Sequence, residues 1–163
     1  MAALNGTWKL LSVENFEEYL GAINVSSQDI PRALKLLTPE NNITQEIEIN
    51  GENIRIKTNT PVASSEVKAV CNNEIDVRAL DGRETKAVYS VEDNQIIENV
   101  SGPYTAKIIR CLDGDNMKMN KTYAALTFYF TTWKKPQDCT TDYDLVQVMS
   151  CGDVTSTRTY EKV

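Results

Sequence analysis

Histidine is absent from this chain of 163 residues, and its absence excludes relays in which an imidazole activates a serine or cysteine. Cysteine is scarce, and its four copies (Cys71, Cys111, Cys139 and Cys151) never stand in Cys-x-x-Cys spacing. Without imidazole, a structural zinc site needs all four thiolates or a carboxylate. No metal is therefore expected, and the thiols are expected to be reduced and mostly buried. Glycine-rich phosphate loops are missing. Asp113-Gly114-Asp115 reads as a turn, because the spaced oxygen ligands and closing Glu of a calcium loop are absent. Acidic pairs such as Glu17-Glu18 and Asp142/Asp144 read as solvated faces. The chain is expected to be no enzyme and to need no cofactor.

Long apolar runs are lacking too; none approaches the ~20 residues that cross a bilayer. No basic-then-apolar leader opens the chain, which reads as cytoplasmic, or as a mature form whose leader was removed. Basic residues are outnumbered, 17 against 23, for a net charge of −6, so nucleic acid is not an expected partner. A hydrophobic content of 41% with 25% charged residues is ordinary for one globular domain spanning 1–163. Asn5, Asn24, Asn42, Asn99 and Asn120 each begin an Asn-x-Ser/Thr triplet, which matters only for a secreted protein.

What is present has a clear order. Gly6 to Leu11 reads as a first strand. Asn15, with Glu18 three residues on, has the spacing of a capping box, and Phe16, Tyr19, Leu20 and Ile23 follow at helical spacing. A second short helix starts near Ser27 to Asp29, with Pro31 tolerated in its first turn. It carries Ile30, Leu34 and Leu37 on one side, Arg32 and Lys35 on another, and ends at Thr38-Pro39. From there the period is two. Ile43, Ile47 and Ile49 precede an Asn50-Gly51 hairpin signal, and Ile54, Ile56 and Thr58 follow it. Further short strands around Val67, Val77, Tyr89 and Ile96 recur about every ten residues, as in a meander.

Two stretches carry chemistry. On one face of Thr105 to Leu112 lie Ala106, Ile108, Arg110 and Leu112. Lys107, on the other face, belongs in solvent, so Arg110 is expected inside, where a guanidinium needs an anion or a water network. In the closing stretch, Val154, Ser156, Arg158 and Tyr160 share one face, and Thr155, Thr157, Thr159 and Glu161 the other. Arg158 and Tyr160 can thus present a guanidinium fork and a phenol to one acceptor, and a carboxylate fits the fork bidentately.

Gly6-Thr-Trp8-Lys-Leu, Glu14-Asn-Phe16-Glu-Glu-Tyr19-Leu20 and Thr157-Arg158-Thr-Tyr160-Glu-Lys resemble the termini of the intracellular lipid-binding proteins, the fatty-acid-binding and cellular retinoid-binding family. The resemblance implies a mainly β fold: a ten-stranded antiparallel up-and-down β-barrel, or β-clam, with a helix-turn-helix lid over about 15–37. It also implies that Arg158, Tyr160 and Arg110 hold a ligand carboxylate, with Phe16, Tyr19, Leu20 and Pro39 lining lid and cavity. The resemblance breaks at about 116–143, read as an extended or additional hairpin-like insertion that precedes a penultimate strand at Asp144 to Cys151. Its aromatics Phe128, Tyr129, Phe130 and Trp133 suggest packing over the barrel mouth or pairing with another chain.

The expected function is non-enzymatic binding and transport of a long-chain fatty acid, or a similar hydrophobic acid. A retinoid carrier, or an interaction or storage module working through the insertion, are the alternatives. A sixteen-carbon tail offers roughly 12 kcal/mol gross on burial, at about 0.8 kcal/mol per methylene. Arg32 and Lys35 read first as a solvated lid face; transient membrane contact through the lid helices is the alternative that the resemblance implies. The expected state is a monomer, with a dimer through the insertion as the alternative.

Overall fold

The computed structural model describes residues 2–79, 81–133 and 144–163; within the last hairpin, side chains are described up to Tyr123 and again from Val154. Alternating apolar residues produce ten strands: β1 Gly6–Glu14, β2 Thr44–Asn50, β3 Asn53–Asn59, β4 Ser64–Val70, β5 Glu74–Arg78, β6 Glu84–Glu92, β7 Gln95–Ser101, β8 Ala106–Asp113, β9 Asn116–Trp133 and β10 Asp144–Lys162. Each pairs antiparallel with its chain neighbour, except that β1 pairs with β10 and no ladder joins β4 to β5. The sheet therefore curls into a barrel closed by the two termini and open along one seam. The family architecture is the one found: a β-clam of ten strands under a helical lid.

Tight turns follow from residues that tolerate a left-handed backbone. Gly51 (φ 59°) turns β2 into β3, Asp93 and Asn94 (48° and 61°) turn β6 into β7, and Gly114 (62°) turns β8 into β9. Inward residues through β1 to β3 are mostly apolar: Trp8, Leu10, Ile47, Ile54 and Ile56 are all buried, with Gln45 of β2 the polar exception. Four of the Asn-x-Ser/Thr asparagines serve the fold, Asn120 by accepting from Thr157 across the β9–β10 ladder. Asn5 grips the β2 backbone at Ile49 through both ends of its amide, and Asn24 and Asn42 take positive φ. Cys71 and Cys111 are free and half-buried, more accessible than expected.

The lid consists of α1 (Phe16–Ala22) and α2 (Ile30–Leu36). Tyr19, Leu20 and Ile23 of α1 are buried against Val25, Ile30, Ala33, Tyr104, Tyr123 and Val154. The expected capping box does not form. Asn15 adopts a left-handed backbone at φ 53°, and its amide donates instead to the Thr155 carbonyl at 2.8 Å. The bond ties the start of the lid to β10. Arg83, in the β5–β6 turn, ties the other end: it donates to the Ile23 carbonyl at 2.6 Å, pairs with Asp81 and lies 4.6 Å from the Tyr104 ring centroid. Pro39 is placed outside the lid, in a single 3-10 turn (Pro39–Asn41) that leads into β2.

The insertion takes the extended form of the hairpin expected over about 116–143, without the separate penultimate strand. Asp144 to Cys151 is no separate penultimate strand; β9 and β10 are themselves lengthened and pair without interruption from Asn116↔Glu161 to Trp133↔Asp144. The physical reason is the β-forming run at 123–133, which prolongs the ladder already begun at Asn116. The surface expected from Phe128, Tyr129, Phe130 and Trp133 lies outside the described side chains.

Arg83 makes one prediction. Replacing it with Ala removes a charge-assisted bond worth about 1.5–3 kcal/mol. Amide exchange over residues 16–25 should accelerate about tenfold or more, while protection in β7 and β8 stays unchanged. Equal acceleration in the barrel strands would show that Arg83 supports the whole fold rather than the lid.

Candidate functional site

The inward faces of β8, β9 and β10 bring the polar groups together. Register sets Arg158 opposite Met119, and Met119 opposite Arg110, so both guanidiniums lie at one level on either side of a buried methionine. That register is pinned on the outer face by the Thr122 and Thr155 hydroxyls, 2.9 Å apart, and by Thr157 donating to the Asn120 side chain at 3.0 Å. Arg158 (3% exposed), Tyr160 (0%) and Arg110 (5%) all turn inward; the alternation predicts this for Arg110, and for Arg158 and Tyr160 it predicts the shared face.

The two arginines have different surroundings. Arg110 Nη1 donates to the Glu98 carboxylate at 2.9 Å, and its Nε reaches the Gln45 side chain at 3.4 Å. Burial, the largest single influence, works against its charge, but the charge and hydrogen bond of Glu98 together with Tyr89 and Tyr160 outweigh it and hold the guanidinium above its ordinary pKa. The anion that Arg110 requires is therefore supplied by β7. Arg158 forms no ion pair among the described residues. Its Nε and the Tyr160 hydroxyl are buried without a hydrogen-bond partner, and its Cζ sits 5.1 Å from the ring centroid of Phe16. Phe16 thus joins the lid to the head of the site, and it packs against both apolar clusters. Tyr19, beneath the lid, has its phenol pKa raised by burial first and the neighbouring Tyr104 second, with Arg158 opposing.

Sequence reasoning missed three groups: Glu98, Gln45 and Lys121. Glu98 was legible in part, since it shares a face with Ile96 and Val100, which are buried. Lys121 follows Met117 and Met119 at the same spacing, in register with Ile108 on one side and Ser156 on the other. Protein atoms surround its ammonium as in a core, and burial first and Arg158 second push its pKa down to about 7. Yet part of the side chain remains accessible. Both hold together when the accessible part faces an internal space rather than bulk water.

A separate cleft of about 510 Å³ opens where β4 and β5 fail to pair, lined among others by Glu48, Arg55, Lys68, Glu74 and Ile75. Charges of both signs line it, and none of Arg158, Tyr160, Arg110 or Lys121 reaches it. It is not the head-group site.

The lowered pKa of Lys121 fixes the sign of a pH effect. The unfolded chain holds its proton up to about 10.5, whereas the folded chain loses it near 7. Between those values the unfolded state binds more protons, so stability rises with pH. The gain in stability of Lys121→Met over wild type should be greatest below pH 7 and shrink toward pH 10, as urea unfolding across pH would measure. A pH-independent gap would place the ammonium in water.

No protein-family model matches the chain. It is 36% identical over 113 residues to the adipocyte fatty acid-binding protein of Pygoscelis papua, covering 68% of this chain and 81% of that one. It is 28% identical over 163 residues to cellular retinoic acid-binding protein 2 of Rattus norvegicus, covering 98% of each. Among solved structures, the REP1-NXSQ fatty acid transporter superimposes with a TM-score of 0.73 at 25% identity, over 100% of this chain and 98% of that one. Strand order and helical lid agree with these likenesses, and the chain belongs to the intracellular lipid-binding protein family of fatty acid-binding and cellular retinoic acid-binding proteins.

Proposed function

We propose that the chain binds and carries a hydrophobic carboxylate, a long-chain fatty acid in the first instance, inside the barrel and without catalysis. One observation carries the reading: Arg158 Nε and the Tyr160 hydroxyl, adjacent on one face of β10, are buried donors with no partner. A buried guanidinium without a counter-charge is costly, and a carboxylate satisfies both groups at once. Arg110 takes a lesser part, because Glu98 already occupies Nη1; its charge adds to the field at the carboxylate. The tail then runs past Phe16 beneath the lid. Relatives named for fatty acid and for retinoic acid both fit this head group, and an alcohol does not.

Arg32 and Lys35 on α2 are exposed, which supports transient contact with an anionic membrane during transfer, each cation contributing about 1 kcal/mol. The reading places the carrier in the cytoplasm as a monomer.

Calorimetric titration of Arg158→Gln with a fatty acid and with its alcohol tests the head group. Loss of a charge-assisted bond should weaken the acid about 10- to 100-fold and leave the alcohol nearly unchanged; an unaltered preference between the two defeats the assignment. Tyr160→Phe should act in two directions. Removing an unsatisfied buried hydroxyl should stabilise the ligand-free protein by about 1 kcal/mol and weaken the acid by several-fold. If the ligand-free protein loses stability instead, the hydroxyl serves the fold.

A further inference from the structure

Lys121 has no part in the head group just described, yet it occupies the same interior. Its strand neighbours on the inward face are Met119 below and Tyr123 above, and Tyr123 packs in the lid cluster. Across the ladders it faces Ile108 and Ser156, the latter wholly buried and donating to the Glu14 carbonyl at 2.9 Å. Arg158 is one inward step further down β10, a diagonal separation on the order of 7–8 Å between side-chain origins. A tail running from Arg158 to the lid therefore has to pass the Lys121 amine.

A plain hydrocarbon laid against that amine removes water from its donors and returns no hydrogen bond, a penalty on the scale of any buried unsatisfied polar group. An oxygen on the chain at that level removes the penalty. A second carboxylate is the less favoured partner, since Lys121 is neutral for part of the time near pH 7, and a hydroxyl or carbonyl oxygen is accommodated by both forms of the amine. Charged groups acting on Lys121 come from several elements: Arg158 on β10, Arg110 on β8, Glu98 on β7 and Asp81 before β6.

Resting on the reading that Arg158 and Tyr160 hold a carboxylate, we infer that Lys121 is a specificity-determining residue, which selects long-chain acids carrying a hydroxyl or oxo oxygen partway along the chain over unsubstituted ones.

The test is competition binding of palmitic acid and a positional series of monohydroxy palmitic acids to wild type, Lys121→Met and Lys121→Arg. Wild type should bind at least one hydroxylated isomer about tenfold more tightly than palmitic acid, the ratio expected for one satisfied buried bond. Lys121→Met should abolish or invert that ranking while holding palmitic acid at least as tightly as wild type. Lys121→Arg should keep the ranking. A wild type that ranks every isomer with palmitic acid overturns the inference while leaving the carboxylate reading intact. So does a Lys121→Met protein that weakens all the acids alike, which would put the amine in the head group. Failure of wild type to bind any of the acids overturns both.

Discussion

A barrel interior that holds more positive charge than it neutralises is the constraint on which the rest of this structure depends. Among the described inward residues, Glu98 offsets Arg110, and no carboxylate pairs with Arg158 or Lys121. The fold meets the cost of these charges in three ways. Arg110 has an internal counter-ion, Lys121 gives up its proton near neutrality, and Arg158 keeps its charge over the face of Phe16, a contact that stabilises a cation by about 0.5–2 kcal/mol. Only the last arrangement leaves a permanent charge waiting for an anion. The protein thus separates one guanidinium that completes the structure from another that is available to a ligand.

The charged inward groups are confined to one side of the barrel for a reason rooted in register. β7 to β10 carry Glu98, Arg110, Lys121 and Arg158 on their inward positions, whereas β1 to β3 present Trp8, Leu10, Ile47, Ile54 and Ile56. A ligand lying between these walls meets apolar surface on one side and donors on the other. An amphipathic acid matches that division, and a hydrocarbon without a head group does not. The seam between β4 and β5 lies on the far side of the sheet order from β10, so an unpaired edge is kept away from the carboxylate donors.

Much of this was legible in the residues. Alternation placed Arg158 and Tyr160 on one face with Ser156, the family resemblance implied that this face turns inward, and the glycine and asparagine turns placed most hairpins. Helical spacing picked out Tyr19, Leu20 and Ile23, all buried in the lid. The failures have physical causes. Asn15 and Glu18 have capping-box spacing, but the chain enters α1 through a left-handed residue, and the amide finds a tertiary partner in β10 instead. Glu98 was missed because Ile96 and Ile97 give both faces of β7 an apolar residue, so period two does not choose between them. Lys121 was missed because lysine on a strand is read as solvent-facing; what decides its direction is Met117 and Met119 on the same face. The residues left open whether the final hairpin is extended or another is added, because a ladder of more than about ten pairs exceeds common strand length.

Stability and function oppose each other at the closing strand. Buried donors without acceptors weaken the ligand-free protein, and an apolar pair at Arg158 and Tyr160 would pack the same space with no unsatisfied group. That the chain places a fork and a phenol there, one inward step apart and under a lid tied at both ends by Asn15 and Arg83, is difficult to explain by folding alone. Neither Arg158 Nε nor the Tyr160 hydroxyl gains a hydrogen bond on folding until an acceptor arrives. On the proposed reading, a carboxylate on a long apolar tail would supply the acceptor and fill the adjoining space in one binding event, and the groups that weaken the empty barrel would be the ones that hold the loaded one together.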